Sequence, residues 1–335
     1  MLYVRTDMND TIATGHVMRC LSIADAVRWY GEDVTFILAD TNAVELLSNR
    51  GYNYIVLNTV WNDMESEVDK LQAVIRERQI GKLLIDSYQV TQQYLETIKR
   101  EVKIAYIDDI NAFLYPVDML ICYANYWKKF EYEQRYEGVK LLLGARYAPI
   151  REVFQNCKKK CIKDRIENVL ILSGGTDQYD IIRTFLERVQ REKYVQINVL
   201  CGRYYKDYEA LKERYREAEN VLIQKAVLDI EKYMDEADVV ITAGGTTLYE
   251  ICALGTPAIS FSFVDNQLDN VFQFQKDGII DYAGDARIND VIDKVLKLLD
   301  AYSKEKRSEQ SEKMQIMVEF LRRRRKNQRC NVKFA

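Results

Sequence analysis

Short apolar runs alternate with amphipathic helical segments along most of the chain. In the first half, the predicted strands are Leu2–Val4, Val34–Leu38, Tyr54–Leu57, Lys82–Ile85, Lys103–Ile107 and Met119–Cys122. Helical spacing of apolar residues follows His16 and recurs over Val44–Asn49, Val68–Arg78 and Tyr94–Arg100. This alternation predicts parallel strands joined by right-handed helical crossovers.

The alternation stops between Gly144 and Lys163, where Pro149 precedes a basic run, and then resumes. The second set of predicted strands is Val169–Leu172, Val195–Leu200, Val221–Ile223, Val239–Thr242 and Ala258–Phe263. The predicted helices between them are Ile181–Arg191, Tyr208–Ala218, Ile230–Met234 and Thr247–Leu254. We therefore expect two doubly wound α/β domains, residues 1–150 and 164–300, followed by a long helix and tail over residues 301–335.

The last predicted helix, Asp300–Lys326, ends in the basic run Arg322–Lys326. Such a run binds phosphate or anionic lipid, or it is a solvated helix end whose cations complement the helix dipole. The second interpretation is the commoner one and is favoured here.

Composition and charge exclude several classes of protein. A length of 335 residues with 48% hydrophobic residues allows two ordinary cores. The net charge of −3 gives no reason to expect nucleic acid or an acidic membrane as partner. Neither a membrane-spanning run nor a signal segment is visible, so a cytoplasmic monomer is expected. Seven scattered cysteines and a single histidine favour reduced thiols and no metal site.

The single histidine, His16, lies between the first predicted strand and the helix that follows it. In an open α/β sheet, the carboxyl ends of the strands are where ligands bind. The positive end of the helix dipole disfavours a protonated ring there, which leaves the imidazole able to accept a proton. His16 is therefore a candidate general base. The alternatives are a polar helix cap and a hydrogen-bonded core histidine.

Two glycine pairs follow strands in the second half of the chain. Ser173, Gly174 and Gly175 follow one strand, and Gly244, Gly245, Thr246 and Thr247 follow another. Glycine lets the backbone approach a bulky anion, and the first N–H groups of a helix bind phosphate. These turns are candidate sites for a diphosphate. One such turn is equally explained as a tight strand-to-helix turn, but two in one domain favour phosphate binding. Neither matches a dinucleotide or Walker motif.

Further polar residues are expected at the same sheet edges. Glu250 is suited to accept both hydroxyls of a ribose, or it only complements the helix dipole. Asn266 offers its amide to a sugar, or it caps a helix. Asp86-Ser87-Tyr88 and Asp108-Asp109 follow strands of the first half. Paired aspartates suggest a metal site or an acid/base pair, but no third ligand is evident and solvated loop caps are the commoner explanation.

Several short motifs, spread over nearly the whole chain, together indicate a family resemblance. They are Arg5-Thr6-Asp7, Thr14-Gly15-His16-Val17-Met18-Arg19-Cys20, Ile85-Asp86-Ser87-Tyr88, Ile107-Asp108-Asp109, the stretch Leu143 to Arg151, Ser173-Gly174-Gly175-Thr176-Asp177, Gly244-Gly245 to Glu250, and Asp265-Asn266-Gln267. Together they resemble the nucleotide-sugar hydrolases of pseudaminic acid biosynthesis, which are relatives of the GT-B glycosyltransferases.

The resemblance implies two Rossmann-like domains with a cleft between them, and metal-independent, inverting hydrolysis of UDP-2,4-diacetamido-2,4,6-trideoxy-β-L-altropyranose without a cofactor. It implies that His16 activates water, that Tyr88 and Asn266 hold the sugar, and that Glu250 holds the ribose of UDP. The full set of candidate substrate-binding residues is Gly15, Tyr88, Asn266, Ser173, Gly174, Gly175, Gly244, Gly245, Thr246, Thr247 and Glu250.

Two departures from that resemblance concern backbone positions. Ala13 stands where the resemblance implies a glycine, and Gln178 stands where a proline is usual. Two other functions remain open from the sequence. One is a GT-B glycosyltransferase that uses a UDP-sugar donor, and the other is a non-catalytic protein that binds a nucleotide sugar.

Overall fold

Two parallel β-sheets, one in each half of the chain, organise the structure. The computed structural model describes residues 1–154 and 159–327. The chain divides into an N-terminal unit, Met1–Glu152, and a C-terminal unit that begins at Val153. The predicted α/β class, with two doubly wound parallel sheets, is confirmed.

The N-terminal unit contains a seven-stranded sheet of order β3-β2-β1-β4-β5-β6-β7, in which every pairing is parallel. Its strands are β1 (Leu2–Thr6), β2 (Val34–Leu38), β3 (Asn53–Val56), β4 (Lys82–Asp86), β5 (Lys103–Ile107), β6 (Met119–Cys122) and β7 (Lys140–Leu143). Its helices are α1 (Gly15–Trp29), α2 (Val44–Asn49), α3 (Val68–Glu77), α4 (Gln92–Lys99) and α5 (Tyr132–Arg135).

The C-terminal unit contains a six-stranded parallel sheet of order β10-β9-β8-β11-β12-β13. Its strands are β8 (Asn168–Leu172), β9 (Gln196–Cys201), β10 (Val221–Lys225), β11 (Val239–Ala243), β12 (Ala258–Ser262) and β13 (Asp281–Asp285). Its helices are α6 (Ile181–Arg188), α7 (Tyr208–Arg214), α8 (Ile230–Glu236), α9 (Thr247–Leu254), α10 (Asp265–Lys276), α11 (Val291–Asp300) and α12 (Lys304–Asn327).

The strand order of each sheet reverses at one point. In the N-terminal unit the reversal falls between β1 and β4, and in the C-terminal unit it falls between β8 and β11. At such a point two neighbouring crossovers run in opposite directions and leave a crevice outside the carboxyl ends of the strands. His16 follows β1 and Asp86 ends β4, whereas the two glycine turns follow β8 and β11.

The long C-terminal helix is present as α12. The backbone of Arg322–Lys326 lies on this helix, but the side chains of that run fall outside what the structure describes. Among the described residues, no helix is both long and apolar enough to cross a membrane.

Gly244 lies so close to α10 that a side chain there would clash, and this predicts how substitutions in the second glycine turn affect stability. A Cβ at Gly244 would lie 2.2 Å from Cγ1 of Val271, a fully buried residue of α10, whereas a Cβ at Gly245 would meet nothing within 4 Å. We predict that Gly244→Ala lowers the free energy of unfolding by about 1–3 kcal/mol, as overpacking does. Gly245→Ala, the matched control, should change it by less than about 1 kcal/mol. Urea denaturation measures both, and equal losses would contradict this packing role.

Candidate active site

The side chain of Asn9 holds the loop between β1 and α1 by accepting hydrogen bonds from the loop backbone. Oδ1 of Asn9 accepts hydrogen bonds from the N–H groups of Thr11 at 2.9 Å and Ile12 at 3.0 Å. Ala13 follows with φ +54°, in the left-handed region that favours glycine. The alanine therefore adopts a left-handed backbone conformation, at a cost of roughly 1–2 kcal/mol. Helix α1 begins two residues later, at Gly15, which is exposed.

His16 lies in the first turn of α1 and is only 7% exposed. Its Nδ1 lies 2.8 Å from Oδ1 of Asp86, the last residue of β4. An ionised carboxylate only accepts hydrogen bonds, so this contact favours a proton on Nδ1. Nη2 of Arg19, which only donates, lies 3.0 Å from the same Nδ1 and favours the opposite tautomer. We assign the proton to Nδ1 because its contact with Asp86 is the shorter of the two. The lone pair of the neutral ring is then on Nε2, for which the described residues provide no hydrogen-bond partner.

Arg19 keeps Asp86 ionised. One turn after His16 on α1, its Nε donates to Oδ2 of Asp86 at 2.6 Å, and the Sγ–H of Cys20 approaches the same oxygen at 3.4 Å. Burial disfavours the charged carboxylate, but Arg19 and then His16 outweigh it and hold the pKa of Asp86 well below its usual range. A buried guanidinium thus holds Asp86 as a carboxylate beside His16.

Tyr88 packs against the other side of this pair. Its ring meets that of His16 edge to face, with 4.7 Å between the centroids, and lies 5.7 Å from the guanidinium carbon of Arg19. Its hydroxyl donates to Oδ2 of Asp109 at 3.0 Å. Burial, followed by the charge of Asp109, raises the pKa of Tyr88 well above its usual value, so the hydroxyl stays protonated.

A small open cavity lies beside His16 in the N-terminal unit. From β4 and the loop after it, the lining residues are Asp86, Ser87, Tyr88 and Gln89. The remaining lining residues are Asp7, Ile12, His16 and Trp61. The candidate base and the residue proposed to hold the sugar, Tyr88, are thus on one cavity wall.

The first glycine turn of the C-terminal unit differs from the expectation. Gly174 has φ +88°, but α6 begins only at Ile181, five residues after Thr176. Both carboxylate oxygens of Asp177 accept the first N–H groups of that helix, from Ile181 and Ile182, at 3.0 Å each. The protein's own carboxylate therefore occupies the N-terminus of α6, and the binding of a phosphate by Ser173, Gly174 and Gly175 stays a prediction.

The second glycine turn leads directly into a helix, as predicted. However, the N–H of Gly244 donates to the carbonyl oxygen of Phe261 at 2.9 Å, and that of Gly245 donates to Ala243 at 2.9 Å. The expected donors at Gly244 and Gly245 are therefore engaged within the protein. Helix α9 begins at Thr247 with Thr246 as its N-cap, and in its first turn the N–H groups of Leu248 and Tyr249 donate to the carbonyl oxygens of Gly245 and Thr246 at 3.1 and 3.0 Å.

Glu250 and Asn266 lie on neighbouring elements of the same unit. Glu250 is in the first turn of α9 and half-buried, and Asn266 is the second residue of α10 and exposed. Val264, rather than Asn266, is the N-cap of α10, so the capping alternative for Asn266 does not hold. Among the described residues, no group of three or more His, Cys, Asp or Glu side chains is arranged to hold a metal ion.

Sequence reasoning named His16 but gave no role to Arg19 or Asp86. The available signals were the three-residue spacing of His16 and Arg19, which places both on one face of a helix, and an aspartate at the end of the strand beside β1.

The ion pair between Arg19 and Asp86 predicts that Arg19→Met destabilises the protein more than a double variant that also removes the charge of Asp86. Arg19→Met leaves Asp86 buried without its partner, so we expect a loss of about 3–5 kcal/mol in the free energy of unfolding. Adding Asp86→Asn removes the uncompensated charge, and the double variant should recover part of that loss. Chemical denaturation of the two variants measures the difference. A double variant less stable than Arg19→Met would contradict the assignment.

Two curated proteins are similar in sequence. SpsG, the spore coat polysaccharide biosynthesis protein of Bacillus subtilis, is 22% identical over 79% of this chain and 78% of its own length. The uncharacterized protein MJ1062 of Methanocaldococcus jannaschii is 22% identical over 76% of this chain. The aligned part spans only about half, 54%, of the archaeal protein.

Solved structures show the fold. MurG of Acinetobacter baumannii superposes with a TM-score of 0.65 at 14% identity, covering 97% of this chain and 99% of its own. The glycosyltransferase SsfS6 of Streptomyces sp. SF2575, complexed with thymidine diphosphate, gives a TM-score of 0.62 at 12% identity, with 97% and 99% covered. The predicted GT-B fold is thereby confirmed.

The family match falls on the C-terminal unit and the residues leading into it. It covers residues 151–326, just over half of the chain. The chain therefore belongs to the family described as "Protein of unknown function (DUF354)".

Proposed function

We propose that this protein hydrolyses a nucleotide sugar. The substrate class is a UDP-linked 2,4-diacetamido-2,4,6-trideoxy sugar of pseudaminic acid biosynthesis, and the products are UDP and the free sugar. The observation that carries the proposal is the His16–Asp86 pair, which leaves Nε2 of His16 as a base on the wall of a cavity. The GT-B fold and the similarity to a polysaccharide biosynthesis protein support the choice of a nucleotide sugar as substrate.

In the proposed reaction, Nε2 of His16 takes a proton from water as the water oxygen bonds to the anomeric carbon. The bond between that carbon and the phosphate oxygen breaks, and its electron pair leaves with UDP. Attack from the face opposite UDP inverts the anomeric centre. Asp86 stabilises the imidazolium that forms, which then releases its proton to solvent. A positioned base of this kind supplies roughly 10² to 10⁴ of the rate.

The nucleotide is assigned to the C-terminal unit. The first turn of α9, with the hydroxyls of Thr246 and Thr247, would bind the diphosphate and stabilise the charge that develops as it leaves. Glu250, in the same turn, would accept the ribose hydroxyls, and Asn266 would contact the sugar. The thymidine diphosphate held by SsfS6, a protein of the same fold, supports a nucleoside diphosphate as the ligand.

A glycosyltransferase is the second candidate, and the solved structure of the glycosyltransferase SsfS6, which has this fold, favours it. The same base would then deprotonate an acceptor hydroxyl instead of water. Both reactions release UDP, so nucleotide binding does not separate them. The two reactions are separated by whether the release of UDP requires an acceptor.

The test uses UDP-linked diacetamido-trideoxy sugars without any acceptor, in water enriched in oxygen-18. We predict UDP and free sugar in equal amounts, with one oxygen-18 atom in the sugar and none in UDP, followed by proton NMR and mass spectrometry. His16→Asn should lower kcat at least 10²-fold, because it removes the base. Its affinity for UDP should stay within about twofold of wild type, since His16 does not hold the nucleotide.

Three results would point elsewhere. Full activity in His16→Asn would refute the base assignment. UDP release that appears only when an acceptor sugar is added would establish the transferase. Tight binding of the UDP-sugar without turnover, unchanged in His16→Asn, would identify a binding protein.

A further inference from the structure

A close backbone contact joins the loops that follow β8 and β9 in the C-terminal unit. The N–H of Tyr204 donates to the carbonyl oxygen of Gly175 at 3.1 Å. A Cβ at Gly202, the residue directly after β9, would lie 2.2 Å from the carbonyl oxygen of Gly174 and 2.4 Å from that of Gly175. Cβ atoms do not come so close to backbone oxygens, so a side chain at position 202 would displace the first glycine turn.

Gly202 is needed for this approach and not for its own backbone conformation. Its φ lies outside the left-handed region, in contrast to that of Gly174, which is +88°. An alanine at position 202 therefore acts on the neighbouring loop and does not strain its own backbone.

The direction of the two carbonyl groups fixes the direction of two N–H groups. In a trans peptide the C=O of one residue and the N–H of the next point in opposite directions, and the described residues contain no cis peptide bond. Because the carbonyl oxygens of Gly174 and Gly175 lie against the β9 loop, the N–H groups of Gly175 and Thr176 point away from it. Strand β8 lies between β9 and β11, so these N–H groups face the side of β11, where the strand order reverses.

Neither N–H group is used inside the protein. The described residues provide no acceptor for the N–H of Gly175 or of Thr176, and both residues are partly exposed. Oγ of Ser173, in the same turn and only 1% exposed, has no partner at hydrogen-bond distance in the described part of the chain. Two successive N–H groups on one side of a turn form a concave anion site. This site does not need the N-terminus of α6, which Asp177 occupies.

We propose that Gly202 is a positioning residue for the diphosphate of the substrate. By admitting the carbonyl groups of Gly174 and Gly175, it turns the N–H groups of Gly175 and Thr176 toward the phosphate oxygens. This inference rests on the proposed function, which assigns a nucleoside diphosphate to the C-terminal unit. Nothing in the sequence around Gly202 indicates this role, since the loop that it contacts follows another strand.

Calorimetric titration with UDP tests the role of Gly202 in the full chain. Gly202→Ala should weaken UDP binding by at least about tenfold, because hydrogen bonds to a charged group are lost. Gly81→Ala is the matched control, since its Cβ would meet nothing within 4 Å and Gly81 lies in the N-terminal unit. This control should bind UDP as tightly as the wild type. Equal affinities of Gly202→Ala and the wild type would overturn the positioning role.

NMR of protein labelled with carbon-13 and nitrogen-15 in glycine tests the donor in the wild type. The chain contains two Gly-Gly pairs, so only the amides of Gly175 and Gly245 follow a labelled carbonyl, and Gly245→Ala identifies its own signal. The N–H of Gly245 already donates to Ala243. UDP should shift the amide proton of Gly175 downfield, and uridine, which lacks the phosphates, should leave it in place. A Gly175 amide that saturating UDP does not move would refute the inference, whether or not Gly202→Ala folds.

Failure of the proposed function and failure of this inference give different results. If the wild type binds no UDP, the proposed function fails and the role of Gly202 fails with it. If the wild type binds UDP but the Gly175 amide does not respond, or Gly202→Ala binds UDP equally well, only the positioning role is overturned.

Discussion

The buried ion pair between Arg19 and Asp86 is the interaction on which the candidate site depends. Taking a carboxylate out of water costs several kcal/mol, and only a well-placed guanidinium offsets that cost. With Asp86 held ionised, its contact with His16 favours a proton on Nδ1 and a lone pair on Nε2, against the 3.0 Å approach of Nη2 of Arg19 to Nδ1. His16 and Arg19 lie one turn apart on α1, and β4, which pairs with β1, carries Asp86. Together these two features place Asp86 where it orients the imidazole ring of His16.

The two glycine turns show how similar sequences at equivalent sheet positions acquire different roles. Both follow the strands at which the C-terminal sheet reverses its order. After β8, Asp177 closes the helix N-terminus, and burial raises the pKa of that carboxyl to about 6. After β11, Gly244 allows α10 to pack closely, and α9 begins directly after the turn. A glycine pair alone does not distinguish these outcomes.

The alternation of apolar strands with amphipathic helices predicted the α/β class, since central parallel strands are buried on both faces and read as continuous apolar runs. Strand β13, Asp281–Asp285, was not predicted, because Gly284 and two aspartates interrupt any such run. His16 was predicted from its position between strand and helix. The roles of Arg19 and Asp86 were not, because they are 67 residues apart in sequence and meet only when β4 pairs with β1.

The central claim is that His16 is held as one tautomer with its lone pair on Nε2. Because the chain contains a single histidine, nitrogen-15 NMR of histidine-labelled protein reports on this ring alone. In the neutral state, the account predicts that Nδ1 is protonated, that Nε2 is not, and that Asp86→Asn removes this preference. A ring protonated on Nε2 in the wild type, or two tautomers in rapid exchange, would contradict it.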